Sequence, residues 1–133
     1  MGQWSEQPKD IGAVTLFADD LGAAKQFYQH VFDLPVYYED DNSAVFQFGA
    51  VLINLLDVAQ ADSLIAPATV GTGGAGARSQ FTIHVSDVDA VCATLKERGV
   101  ALLNGPVNRP WGIRTAAFAD PSGHIWEIAQ ELS

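Results

Sequence analysis

Few side chains in this sequence of 133 residues are spaced for chemistry, and each has a plainer reading beside it. Arg109 and Arg114 flank Trp111, and two guanidinium groups around an indole could clamp an anionic group. Strand alternation sends Arg114 outward, where one of the many surface acids is the expected partner, and neither arginine is assigned to a site. His84 follows Gln80 at an even spacing, which puts imidazole and carboxamide on one face of a strand. A lone strand histidine is more often a hydrogen-bonding wall residue than a metal ligand. Cys92, the one cysteine, cannot close an internal disulfide and falls in a helical apolar pattern, where a buried thiol is the expectation. Gly71 to Gly76 is glycine-rich but lacks the lysine and following helix of a phosphate loop. The sequence holds no serine elbow, no paired CxxC and no basic aromatic surface for RNA.

Composition narrows the classes further. Sixteen acidic against seven basic side chains give a net charge of -9, which opposes nucleic-acid binding and favours neutral or cationic ligands through the overall field. No window approaches the roughly 20 apolar residues of a membrane span, and the first ten residues lack the basic-then-apolar pattern of a leader. With 48% hydrophobic residues, one compact domain in a reducing, cytoplasmic setting is the expectation, with no nucleic-acid or membrane partner.

The elements that must position these residues read as a repeat. Ile11 to Phe17 has strand character, and Asp19 and Asp20 offer an N-cap for a helix over Leu21 to Phe32 with Leu21, Ala24, Phe27, Tyr28 and Val31 on one face. Strands are predicted at Val36 to Glu39, Ala44 to Phe48 and Val51 to Asp57. Residues 59–79 read as a connection with a short helical turn near Ala61. Phe81 to Val85 is again a strand, Asp87 caps a helix over Val88 to Arg98 that stops at Gly99, and strands are predicted at Ala101 to Leu103, Gly112 to Ala119 and His124 to Gln130. The pattern from Thr15 to Leu21 recurs from Thr82 to Val88 at a constant offset. The fold class is therefore α+β, a single domain of two βαβββ modules, 11–58 and 80–130, joined by the linker 59–79.

The segment from Trp111 to Ile128 resembles the final hairpin of the glyoxalase, bleomycin-resistance and extradiol-dioxygenase superfamily. Its Asp120-Pro121-Ser122-Gly123 has the residue order of a type I turn between antiparallel strands. Leu21 to Phe32 with Phe27-Tyr28, followed by Asp33-Leu34, resembles that family's first helix and its exit. The resemblance implies an open, barrel-like mixed sheet around a cavity, with helices outside. In metal-dependent members one ligand stands on the first strand and one on the last strand of each module, which here falls on Ala13, Asn54, Gln80 and Glu127. Ala13 has no donor, and Asn54 and Gln80 are neutral amides, so Glu127 is the one charged ligand. Iron, zinc or nickel asks for more than that. No metal ligand and no cofactor is assigned; a shifted, weak site using His84 stays open as a minority reading.

Alternation outward from those four positions places Thr15, Phe17, Thr82, His84, Thr115 and Trp111 on the cavity side, and Val14, Leu16, Phe81, Ile83, Val85, Phe118, Trp126 and Ile128 in the core. Assigning Leu34, Val36, Phe46 and Phe48 to the core turns Tyr37, Val45 and Gln47 toward the cavity. The ligand-binding set is thus Thr15, Phe17, Tyr37, Gln47, Asn54, Gln80, His84, Trp111, Thr115 and Glu127. Its aromatics could stack on a flat ligand while its amides and carboxylate orient it, although each aromatic could equally fill space.

Three functions compete. Similarity to the family's metal-free members implies a homodimer that sequesters an antibiotic or other natural product, aromatic or partly cationic, with no catalytic residue. The alternative is a lyase, isomerase or dioxygenase, with Glu127 as general base beside His84 or with a metal on an altered ligand set. A dimeric scaffold without a defined ligand is the third. Neither the ligand nor the way modules pair, within or between chains, can be read from the residues.

Overall fold

The computed structural model describes residues 10–133; the stretch read for a leader signal lies outside them in all but its last residue. The chain runs β1 (Ala13–Ala18), α1 (Leu21–Val31), β2 (Tyr38–Glu39), β3 (Ser43–Phe48), β4 (Val51–Asp57), α2 (Asp62–Ile65), β5 (Gln80–His84), α3 (Val88–Glu97), β6 (Asn104–Asn108), β7 (Ile113–Ala119) and β8 (Ile125–Glu131). Single 3-10 turns at Val58–Gln60 and Gly73–Ala75 punctuate the linker with α2. Two βαβββ modules are therefore present, each with one mixed sheet: order β1-β4-β3-β2 in the first and β5-β8-β7-β6 in the second. Among the described residues the outer edges of β1 and β5 carry no strand partner, and the strands form two four-stranded sheets.

Both long helices start in the same way. Asp20 Oδ1 accepts from the Ala23 N–H and Asp87 Oδ1 from the Ala90 N–H, each at 3.0 Å, satisfying one of the donors a helix start leaves unpaired. They stop differently. The second module leaves α3 through Gly99 at φ 81°, where the missing Cβ removes the steric cost, while the first uses Asp33 at φ 54°, a residue tolerated in the left-handed region.

The apolar faces of both sheets share one core. Leu16, Phe46, Ile53 and Leu55 of the first sheet and Phe118, Trp126 and Ile128 of the second are buried in the same cluster as Tyr28 and Val31 of α1 and Val88 and Leu95 of α3. Val14, Phe81, Ile83, Val85, Leu34, Val36 and Phe48 pack against it partly buried, as alternation requires. At its centre Tyr28 joins the modules. Its hydroxyl donates to Asp120 Oδ2 at 2.8 Å and accepts from Trp126 Nε1 at 2.9 Å, and its ring stacks on Phe46. Asp120 Oδ1 accepts the N–H groups of Ser122 and His124 at 2.9 Å, which closes the turn that carries β7 into β8. Burial first, and then the charge and hydrogen bond of Asp120, push the Tyr28 phenol far above its ordinary pKa, so it stays a donor.

Two strands depart from the sequence reading. The last strand before the second hairpin is Asn104–Asn108, not Ala101 to Leu103, although it contains Gly and Pro. A register shift between Asn104 and Val107 makes this possible on an edge strand, where a proline breaks no ladder. Gly105 lies so close to β7 that a Cβ there would stand 2.4 Å from the Thr115 carbonyl oxygen, so the backbone itself packs, and only glycine allows it. Of Val36 to Glu39 only Tyr38–Glu39 forms regular strand, and Leu34 and Val36 before it pack against the core.

Candidate functional site

Each sheet keeps one face away from the common core, and the register of the strands defines what stands there. In the first sheet Thr15 pairs with Asn54 and Asn54 with Val45, one row across three strands. Asn54 Nδ2 donates to Thr15 Oγ1 at 3.3 Å. In the second sheet Thr82 pairs with Glu127 and Glu127 with Ala117, and Thr82 donates its hydroxyl proton to Glu127 Oε1 at 2.9 Å. The next row holds His84, Ala129 and Thr115. Thr15, Gln47, Gln80, Thr82 and His84 are exposed, and Asn54 and Glu127 half-buried. On the second face Thr115, Ala117 and Ala129, beside Glu127 and His84, are buried.

Gln47 and Gln80, from different modules, both line one cleft of about 730 Å³ between the sheets, as does Thr82. Its walls are core-side residues of both sheets, among them Val14, Ile53, Phe81 and Trp126. Phe17, at the end of β1, lies against the linker residues Gly71, Thr72 and 75–79 and the turn Ser122 to His124 around a recess of about 210 Å³. His124 Nε2 hydrogen-bonds the Phe17 carbonyl oxygen at 2.9 Å, so the linker end of β1 is tied to the second module.

Two aromatic positions differ from the alternation count. Tyr38, not Tyr37, is the register partner of Val45, and so it is Tyr38 that shares the face of Asn54. The Tyr37 N–H also reaches the Val45 carbonyl at 2.8 Å, a two-against-one irregularity that shifts the parity by one. Trp111 is in the tight turn that joins β6 to β7, where the Gly112 N–H returns to the Arg109 carbonyl, and it is 68% exposed. It stands at the tip of the hairpin rather than within a strand.

Arg109 is the residue the sequence reading passed over. Its Nε donates to Thr115 Oγ1 at 3.0 Å and Nη2 to Asn104 Oδ1 at 3.4 Å, which lays the guanidinium over the face that carries Glu127. Thr115, beneath it, is 1% exposed. The signal lay in the placement of β6: with the strand at Asn104–Asn108, Val107 pairs with Thr115, and Arg109 continues on the same side. Arg114 points the other way, as alternation requires, and forms a two-pronged pair with Asp89 at 2.9 and 3.1 Å.

The donor set does not suit a resident divalent ion. Among the described residues no three His, Cys, Asp or Glu side chains come together. The four positions where metal-dependent relatives keep their ligands offer one alanine, two amides and a single carboxylate already hydrogen-bonded to Thr82. Cys92 offers no substitute, since burial and the nearby Asp89 push its thiol up despite the opposing effect of Arg114. What the faces can do is hold and orient a small molecule through hydroxyl, amide, carboxylate and guanidinium groups.

Known proteins are similar to this chain in sequence or in fold. The chain is 29% identical over 124 residues to the uncharacterized protein YraH of Bacillus subtilis strain 168, covering 90% of this chain and 96% of YraH. The structure of TnmS3, an antibiotic binding protein from Streptomyces sp. CB03234, superposes with a TM-score of 0.72 at 25% identity over 95% of this chain and 98% of that one. Lactoylglutathione lyase from Agrobacterium tumefaciens superposes with a TM-score of 0.76 at 24% identity over 93% and 95% of the two chains. A family profile matches residues 10–128, and with two βαβββ modules in place the chain belongs to the Glyoxalase/Bleomycin resistance protein/Dioxygenase superfamily.

Proposed function

We propose that this protein binds and sequesters a small natural product, an antibiotic being the leading class, without a resident metal and without catalysing its conversion. The observation that carries the reading is the donor set: at matching register the modules present Thr15 with Asn54 and Thr82 with Glu127, groups that orient an organic ligand and are too few in charge to hold a catalytic divalent ion. The likeness to an antibiotic binding protein over nearly the whole of both chains supports it. Thr15, Phe17, Gln47, Asn54, Gln80, His84, Thr115 and Glu127 are the contacts proposed for the ligand, with Tyr37 and Trp111 at its margins.

The working form is a homodimer in the cytoplasm. Thr15, Gln47, Gln80, Thr82 and His84 are exposed in the single chain, and among the described residues β1 and β5 pair on one side only, so a second copy laid edge to edge would cover these side chains. The test is a tryptophan-fluorescence screen of natural-product antibiotics, repeated with EDTA. A saturable ligand whose affinity ignores EDTA and falls at least tenfold in Glu127→Ala is the expected result. Binding that EDTA abolishes, or turnover of the ligand, would overturn the proposal in favour of a metal-assisted enzyme.

A further inference from the structure

We propose that the cleft between the two sheets holds the body of the ligand, and that this ligand is an uncharged, largely apolar ring system with a carbonyl or hydroxyl on one edge. This rests on the small-molecule reading above and adds where the ligand lies and its chemical class. A cleft of about 730 Å³ is within the range that takes a drug-sized molecule. Both modules line it, with Val14 and Ile53 from the first and Phe81 and Ile83 from the second. Packed interiors hold few voids larger than a water molecule, so a gap of this size leaves apolar side chains facing solvent or a guest. Val14, Val51, Phe81 and Ile83 are accordingly only half-buried.

Two properties of the lining define the guest. The first is aromatic. Phe48 stacks on Trp126 with ring centroids 5.2 Å apart, Phe81 tilts against the same indole at 5.3 Å, and Phe32 meets it edge-on at 5.1 Å. All four rings line the cleft, and the three phenylalanines are half-buried, so they keep ring surface for a flat guest. The second is the absence of charge. The chain has sixteen acidic and seven basic side chains, yet among the described residues none of them lines the cleft. An ionised guest would lose its hydration there without gaining a counter-charge. The polar groups present are neutral, the amides of Gln47 and Gln80 and the hydroxyl of Thr82. Amides supply both donors and acceptors for a carbonyl or hydroxyl. Thr82 also donates to Glu127 Oε1 at 2.9 Å, so the same side chain serves the cleft and the carboxylate of the second face.

The test follows the full chain by methyl NMR with three probes: 2-acetylnaphthalene, the anion 2-naphthoate of similar shape, and naphthalene. 2-Acetylnaphthalene should shift the methyl signals of Val14, Val51, Ile53 and Ile83 saturably and bind at least tenfold more tightly than 2-naphthoate. The methyls of Val45 and Ala117, in the rows of Asn54 and Glu127, should stay in place. Val51→Phe sets a ring into the cleft and should weaken 2-acetylnaphthalene at least tenfold. If that variant does not fold, Gln47→Leu combined with Gln80→Leu carries the test, since both side chains are exposed. That pair should cost 2-acetylnaphthalene at least threefold more than it costs naphthalene. Shifts at Val45 or Ala117 instead would overturn the cleft assignment while leaving the small-molecule reading intact. Equal affinity for 2-acetylnaphthalene and 2-naphthoate would overturn the uncharged class. No response to any probe would overturn the cleft site, and the antibiotic screen then decides the small-molecule reading by itself. In the probe-free chain, nuclear Overhauser contacts from Trp4 to the cleft methyls would assign the cleft to the chain's own first residues. Cleft-methyl shifts that follow protein concentration would assign it to a second copy; in either case the proposal fails.

Discussion

At the centre of the first module's open face an amide donates to a threonine, Asn54 to Thr15; at the matching register of the second, a carboxylate accepts from one, Glu127 from Thr82. The surrounding residues widen the contrast. Ala13, Val45, Gln47 and Leu52 leave the first face without a charge, whereas Arg109, His84 and Glu127 concentrate titratable and charged groups on the second. The duplicated parts that build the fold, an aspartate cap, a helix and a four-stranded mixed sheet, are the same in both. A repeat can therefore keep its architecture twice and place its charged side chains on one copy, leaving the other with neutral polar groups.

The strongest way to break the comparison is to separate the modules. Asp120→Ala removes the acceptor for the Tyr28 hydroxyl and for two backbone N–H groups in the β7–β8 turn, and should cost at least about 3 kcal/mol in denaturant unfolding. Gly105→Ala should come next, at about 2 to 3 kcal/mol, because φ is 84° and the added Cβ collides with β7 backbone. Tyr28→Phe leaves Trp126 Nε1 and Asp120 Oδ2 without their partner and should cost about 1 to 3 kcal/mol at neutral pH.

That last variant carries a pH signature. The Tyr28 phenol is raised in the folded protein, so its contribution is fully present below the ordinary tyrosine pKa of about 10 and is lost as pH climbs above it. The stability gap between wild type and Tyr28→Phe should accordingly narrow above that pH; a constant gap would mean that folding does not raise the phenol.

The comparison itself is sharpened on the open faces. Glu127→Gln should weaken ligand binding about tenfold, the worth of one charge-assisted hydrogen bond, while Asn54→Ala should weaken it less than threefold. Equal losses would put both modules on the same footing. Smallest of all, Arg114→Ala breaks an exposed pair on the opposite side of the sheet and should leave both affinity and unfolding midpoint within measurement error.

The long helices, their caps and the alternation of the central strands were legible in the sequence, because β1, β4, β5, β7 and β8 keep a strict period of two against a common core. Illegible were the edges. β6 is built from Asn104, Gly105 and Pro106, residues that signal a turn, and its bulge rests on a backbone contact that no side-chain pattern records. The same bulge hid Arg109, whose side depends on where β6 begins. The irregular pairing at Val45 exchanged Tyr37 for Tyr38 in the same way. Resemblance supplied the four positions from which the faces were read; composition and spacing alone would have left Glu127 an ordinary strand carboxylate.

The central claim is that these faces bind an organic molecule without a metal, and elemental analysis after mild, chelator-free purification tests it most directly. The account predicts near-zero iron, nickel, manganese and zinc per chain, unchanged after incubation with each ion and the same in Glu127→Ala. One tightly held ion per chain, lost in Glu127→Ala, would contradict it and place Glu127 in a coordination shell.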